Sequence, residues 1–109
     1  MRRVSAVWFG VAVLSLWFQT VASGFGGTEY LRMAMTARQE GLYGLSNEQL
    51  DAFFSVEPNH PNADYALLLY ASNLFELKEY PEAKRRLKML LDRYPGSPYV
   101  KDALGRLAL

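Results

Sequence analysis

The 109 residues contain one histidine, His60, and no cysteine. Thiol catalysis, cysteine-ligated zinc and disulfide frameworks are thereby excluded. One imidazole is too few for a multi-histidine metal site, and any Ser-His-Asp relay would have to be built on His60 alone. His60 lies in the turn sequence Asn59-His60-Pro61 and reads as an exposed turn histidine. The carboxylates Glu29, Glu40, Glu48 and Asp51 recur at helical spacings, the pattern of a solvated face. Acid–base work by paired carboxylates needs a pocket that drives their pKa values apart, and nothing in this spacing supplies one. Gly24-Phe25-Gly26-Gly27 is glycine-rich, yet no strand precedes it and no Lys-Ser/Thr pair follows, so it is not a phosphate cradle. The inventory argues against an enzyme and calls for no cofactor and no metal.

Lys84, Arg85, Arg86 and Lys88 form a basic cluster with Glu82 and Asp92 at i,i+4 distances from Arg86 and Lys88. Such pairs contribute a few tenths of a kcal/mol each. The cluster reads as a solvated outer face; the sharper reading is a contact for anionic headgroups or an acidic partner. With 12 Lys+Arg against 11 Asp+Glu, the net charge of +1 leaves no basic arm for nucleic acid.

The first 23 residues differ from the rest. Arg2 and Arg3 precede an uncharged run from Val4 to Phe18, and Val21-Ala22-Ser23 offers small residues at its exit. A basic start, a short apolar middle and a small-residue exit describe a secretory signal peptide. At about 15 residues the run falls short of the roughly 20 that a spanning helix needs. The expected cut follows Ser23, with Gly24 as second choice. An uncleaved inner-membrane anchor and a buried core helix are the competing readings. Cleavage would remove both tryptophans, Trp8 and Trp17, and leave 10 basic against 11 acidic residues. Residues 24–27 would then form a flexible lead, followed by one helical domain over 28–109.

Positioning is read from an internal repeat. A shift of 37 residues places Tyr43 on Tyr80, Leu50 on Leu87, Pro58 on Pro95, Pro61 on Pro98, Ala66 on Ala103 and Leu67 on Leu104; Ala34, Ala71 and Ala108 superimpose across three copies. In the second unit Ala66, Leu67, Tyr70, Ala71, Leu74 and Leu77 make one amphipathic stripe, and Ala83, Leu87, Leu90, Leu91 and Tyr94 a second. Pro81 suits a first helical turn and Pro95-Gly96 a stop. In the first unit Gly41–Gly44 is the expected loop, and Ser46 with Gln49 has capping-box spacing. Ser97 reads as an N-cap before Pro98. The expected helices span 28–40, 46–57, 62–77, 81–94 and 98–108, with no strands.

Leu67, Tyr70, Ala71, Leu74, Ala83, Leu87, Leu90 and Pro95 resemble the signature positions of the tetratricopeptide repeat, with Ala71 in place of the usual glycine. The 37-residue spacing exceeds the usual 34, and together with Tyr94-Pro95-Gly96-Ser97-Pro98-Tyr99 it resembles the envelope sub-type: BamD-like outer-membrane assembly lipoproteins and the periplasmic coordinator of the Tol–Pal system. Without a cysteine, an acylated anchor is excluded.

The resemblance implies an all-α helix–turn–helix solenoid of two repeats with a C-terminal capping helix. It implies an exported, periplasmic protein–protein interaction module that docks an envelope protein or peptide segment in its groove. The alternative is a scaffold held in the inner membrane by a retained N-terminal helix. Within each unit the first helix is expected to line the groove, with Leu31, Met35, Arg38, Tyr65, Leu68, Ser72 and Phe75 turned towards the partner. Leu69 is a further apolar candidate. The chain is expected to be a monomer, or a weak homodimer if the last helix is a repeat cut short.

Overall fold

The computed structural model describes residues 25–108. The signal segment 1–23, the Gly24 cut and Leu109 lie outside the described residues. Among these described residues five helices follow one another: α1 Gly27–Gln39, α2 Tyr43–Val56, α3 Ala63–Glu76, α4 Tyr80–Arg93 and α5 Val100–Leu107. Among the described residues there is no strand, and no helix is long and apolar enough to cross a membrane.

The 37-residue repeat is written in the backbone. Glu40 closes α1 at φ −87°, ψ 4°, and Leu77 closes α3 at φ −81°, ψ 0°. Gly41 and Lys78 follow in the left-handed region, at φ 77° and 63°. Leu42 and Glu79 open the next helices at φ −91°, ψ 68° and φ −92°, ψ 66°. Each turn is locked by the same bond, from Leu42 N–H to the Ala37 carbonyl at 2.9 Å and from Glu79 N–H to the Leu74 carbonyl at 2.8 Å. These long-reach bonds around a left-handed residue satisfy carbonyls that a helix end otherwise leaves bare.

Three of the expected boundaries are corrected, the first by that tight turn. The reversal at Gly41 needs only Glu40–Leu42, so α2 begins at Tyr43 and not at 46. Ser46 therefore lies inside the helix, fully buried, and its hydroxyl donates to the Ala34 carbonyl at 2.7 Å instead of capping. Ser97 does not cap α5 either: its hydroxyl donates to Asp64 Oδ2 at 2.6 Å and accepts the Tyr99 N–H at 3.1 Å, and the helix starts at Val100. At the other end, Gly27 is no part of a flexible lead. It is the buried first residue of α1, and its N–H is held by Glu57 Oε1 at 2.8 Å. A carboxylate there meets both a free amide and the positive end of the helix dipole.

α1 packs on α2 and α3 on α4 as antiparallel hairpins; α3 also packs on α2 and, more lightly, on α1, and α5 packs on α4. Two apolar clusters result. One joins Leu31, Ala34, Leu50, Phe53, Ala66, Leu69 and Leu74. The other joins Leu67, Leu68, Ala71, Leu87, Leu90 and Ala103. α3 belongs to both, so Ala66 through Leu74 is buried without a break. A helix covered on several sides must be apolar all round. Ala34, Ala66, Ala71, Ala83 and Ala103 are completely buried, the small residues that let helices approach.

Candidate functional site

A cavity of about 290 Å³ opens between the first helices of the two repeats. Met35, Arg38 and Gln39 come from α1, Tyr43 from the start of α2, and Tyr65 and Leu69 from α3. The early start of α2 is what brings Tyr43 to this wall.

Arg38 is half-buried here, and its position is set from behind. Its Nη1 donates to Asn73 Oδ1 at 2.7 Å. Asn73 is fully buried, and its Nδ2 donates to Ser46 Oγ at 2.8 Å and to Asn47 Oδ1 at 2.9 Å. Both amide protons are thus used inside the protein, so the amide oxygen must face Arg38. The guanidinium carbon also sits 5.5 Å from the centre of the Tyr43 ring, within cation–π range. Ser46 ties the network to α1 through the Ala34 carbonyl. Among the described residues no carboxylate pairs with Arg38; the ion pairs formed are Arg85–Glu82, Arg86–Glu82 and Arg106–Asp102. The site is a prepared cation beside an exposed thioether and two phenol rings, able to receive an anion flanked by an apolar group.

Of the expected groove residues, Met35, Arg38 and Tyr65 line this cavity together. Four of the expected groove residues do not line this cavity. Leu31, Leu68 and Ser72 are buried, at 6%, 6% and 5% exposure. Leu31 packs between hairpins, Leu68 faces the α4–α5 cluster, and the Ser72 hydroxyl returns to the Leu68 carbonyl at 2.8 Å. The reason is the double role of α3, which has no face left for solvent over its middle turns. Phe75 is half-buried at the far end of α3, its ring centre 5.9 Å from that of Tyr80. Tyr43, Gln39 and Asn73 escaped the sequence reading. Asn73 carried a usable signal, a polar side chain inside the apolar run from Ala66 to Leu74: such a group is buried only with partners.

On the opposite side, α2 and α4 present a second, smaller polar cluster. The Tyr70 hydroxyl donates to Asp51 Oδ1 at 3.0 Å, and burial, reinforced by that bond, raises its pKa. Arg86 lies 4.2 Å over the Tyr70 ring and 3.1 Å from Glu82. Arg85 Nε donates to Glu82 at 2.9 Å. These donors, Arg85 above all and Arg86 after it, hold the Glu82 carboxyl down at about 2. Among the described residues Lys88 and Asp92 form no ion pair. His60 differs from expectation too: it is half-buried, accepts the Asn62 N–H on Nδ1 at 2.9 Å, meets Thr28 Oγ1 at 3.0 Å and lies against Phe53. Among the described residues no group of His, Asp and Glu could hold a metal ion.

Stacked helix–turn–helix hairpins with a lined groove define a class of repeat proteins. Residues 50–107, more than half of the chain, match the tetratricopeptide repeat family, and the chain belongs to that family. Repeats of this kind mediate protein–protein interaction. No curated protein and no solved structure matches the chain.

Proposed function

We propose that the protein is an exported interaction module of the cell envelope, and that it holds a segment of a partner protein in the cavity between α1 and α3. The binding reading is carried by Arg38: a half-buried guanidinium fixed by Asn73, with no carboxylate of its own among the described residues. A cation ordered in advance loses little freedom when an anion arrives. The partner segment presents a carboxylate to Arg38 and an apolar side chain to Met35, Tyr65 and Leu69. Export is supported by the composition of residues 1–23, and the envelope by the resemblance of Tyr94–Tyr99 to the closing phrase of envelope repeats.

Affinity capture from an envelope extract tests the site, with wild type and Arg38→Glu compared by quantitative mass spectrometry. One protein retained by the wild type and lost by a variant of unchanged helicity is the expected result; equal capture by both overturns the site. A membrane-tethered scaffold is the second reading, favoured by the uncharged, mostly apolar run Val4–Phe18. Intact mass separates the two: loss of 1–23 is expected, and a retained segment assigns the tether. Tryptophan-type emission from the exported form would also show retention, since Trp8 and Trp17 are the two tryptophans of the chain.

A further inference from the structure

A second cavity, of about 190 Å³, lies away from Arg38, where the end of α2 meets α4. Its apolar floor is Phe54, Leu67 and Met89; Arg86, Arg93 and Tyr94 stand around it. Leu67 is buried, and Phe54 and Met89 are half-buried. The volume is below the roughly 300–1,000 Å³ of small-molecule sites and suits a single inserted side chain. Charge gathers at its rim. α4 carries Lys84, Arg85, Arg86, Lys88 and Arg93 against Glu82 and Asp92. Glu82 is already engaged by Arg85 and Arg86, whereas Arg93 is exposed and forms no ion pair among the described residues. Arg86 is held in place from two sides, by Glu82 and by the Tyr70 ring. Asp51 on α2 is occupied by the Tyr70 hydroxyl, and Glu57, beside the lining residue Pro58, is bound by the Gly27 N–H.

We propose that this α2–α4 cavity is a second docking site, for an acidic peptide segment that inserts one apolar side chain between Phe54, Leu67 and Met89 and lays its carboxylates along Arg86 and Arg93. Charge complementarity selects the acidic flanks. Shape selects a peptide over a lipid surface: the apolar groups recede into the protein, where a side chain reaches them and a plane of headgroups does not. The site shares no lining residue with the α1–α3 cavity, so a single chain bridges two segments.

The test uses the full chain and a fluorescein-labelled ten-residue peptide of Asp and Glu with one central Phe. Fluorescence anisotropy at low salt is expected to show saturable binding. Arg93→Glu, at an exposed position that leaves the fold intact, and Met89→Glu, which fills and charges the cavity, are each expected to weaken it at least tenfold. These measurements are made in the Arg38→Ala background, which removes the anchoring cation of the α1–α3 cavity, so that the binding read is that of this site. A peptide with central Ala is expected to bind at least fivefold more weakly. Absence of saturable binding in that background overturns the proposal, as does undiminished binding by Arg93→Glu. Equal binding of the Ala peptide removes the inserted side chain and overturns it too. Sedimentation with phosphatidylglycerol vesicles that Arg93→Glu abolishes, without peptide binding, assigns the face to a membrane and overturns it as well.

Discussion

Asn73 shows how one buried amide organises the groove. Its two donors are spent on Ser46 and Asn47 and its oxygen on Arg38. Asn73→Leu removes all three bonds at similar size and leaves Asn47 Oδ1 without this donor in the interior. A polar group stripped of its partner there costs about 1–3 kcal/mol. Urea denaturation is expected to show a loss of that size, whereas Ser55→Ala, at an exposed site, stays within about 0.5 kcal/mol. Equal shifts would show that the network does not stabilise the fold. Glu82 gives the pH counterpart. Its carboxyl is depressed from 4.5 to about 2, chiefly by the bonds from Arg85. A depressed acid stabilises the folded state fully above its unfolded pKa and loses that contribution as the pH falls through the folded one. The window is therefore pH 4.5 down to about 2. The carboxylate is partly exposed, so the effect is small. Glu82→Gln is expected to flatten the urea midpoint across this window relative to wild type; an unchanged slope would show that the pairs do not persist in solution.

Helices were legible in the sequence because their signals are local. Stripes at three- and four-residue steps, Pro81, Pro95 and the 37-residue self-match place every helix within three residues. What went unread depends on contacts between elements. Ser46 has the residue type and spacing of a cap, and only the packed hairpin shows that Ala34 takes its hydroxyl. Leu31, Leu68 and Ser72 sit at groove positions of an isolated unit, and only the stacking of two units buries them. The turns show the same limit. Gly41 announces a left-handed residue, whereas Lys78 adopts the same conformation with no such signal. Lys pays a steric cost there, roughly 1–2 kcal/mol at most, that glycine avoids. Lys78→Gly is therefore expected to raise the melting midpoint by a stabilisation of about 0.5–1 kcal/mol. Gly41→Ala is expected to lower it by a similar amount. No atom lies within 4 Å of the new methyl group, so backbone strain alone is measured. If Lys78→Gly destabilised, side-chain contacts of Lys78 would outweigh the conformational term.

A stack of repeats has no centre that holds it together; each unit is stabilised by its neighbours, and the last apolar face needs a cover. α5 covers the apolar face of the α3–α4 hairpin. Ala103 is fully buried in the cluster with Leu67, Leu68, Leu87 and Leu90, and Val100 and Leu107 pack at its edge. The approach to α5 adds polar ties: Ser97 reaches Asp64, and the Tyr99 ring centre lies 5.3 Å from that of Tyr65. Removing residues 98–109 would uncover side chains from both α3 and α4, and burying a Leu contributes about 1.5–3 kcal/mol. The truncated chain is expected to melt well below the full one, and an unchanged melting curve would mean that α5 does not dock. The outer face of α5 poses a separate question, because Leu104 is 54% exposed. A single exposed leucine is ordinary on a monomer, and a contiguous apolar patch is not. Lys101, Asp102 and Gly105 surround it on the same exposed side, with Asp102 paired to Arg106, so the face is broken by charge. Light scattering of the full chain is therefore expected to report a monomer at micromolar concentration. Leu104→Gln is expected to change neither that mass nor the melting midpoint. A concentration-dependent dimer that Leu104→Gln dissolves would show instead that the solenoid continues through this face into a second copy.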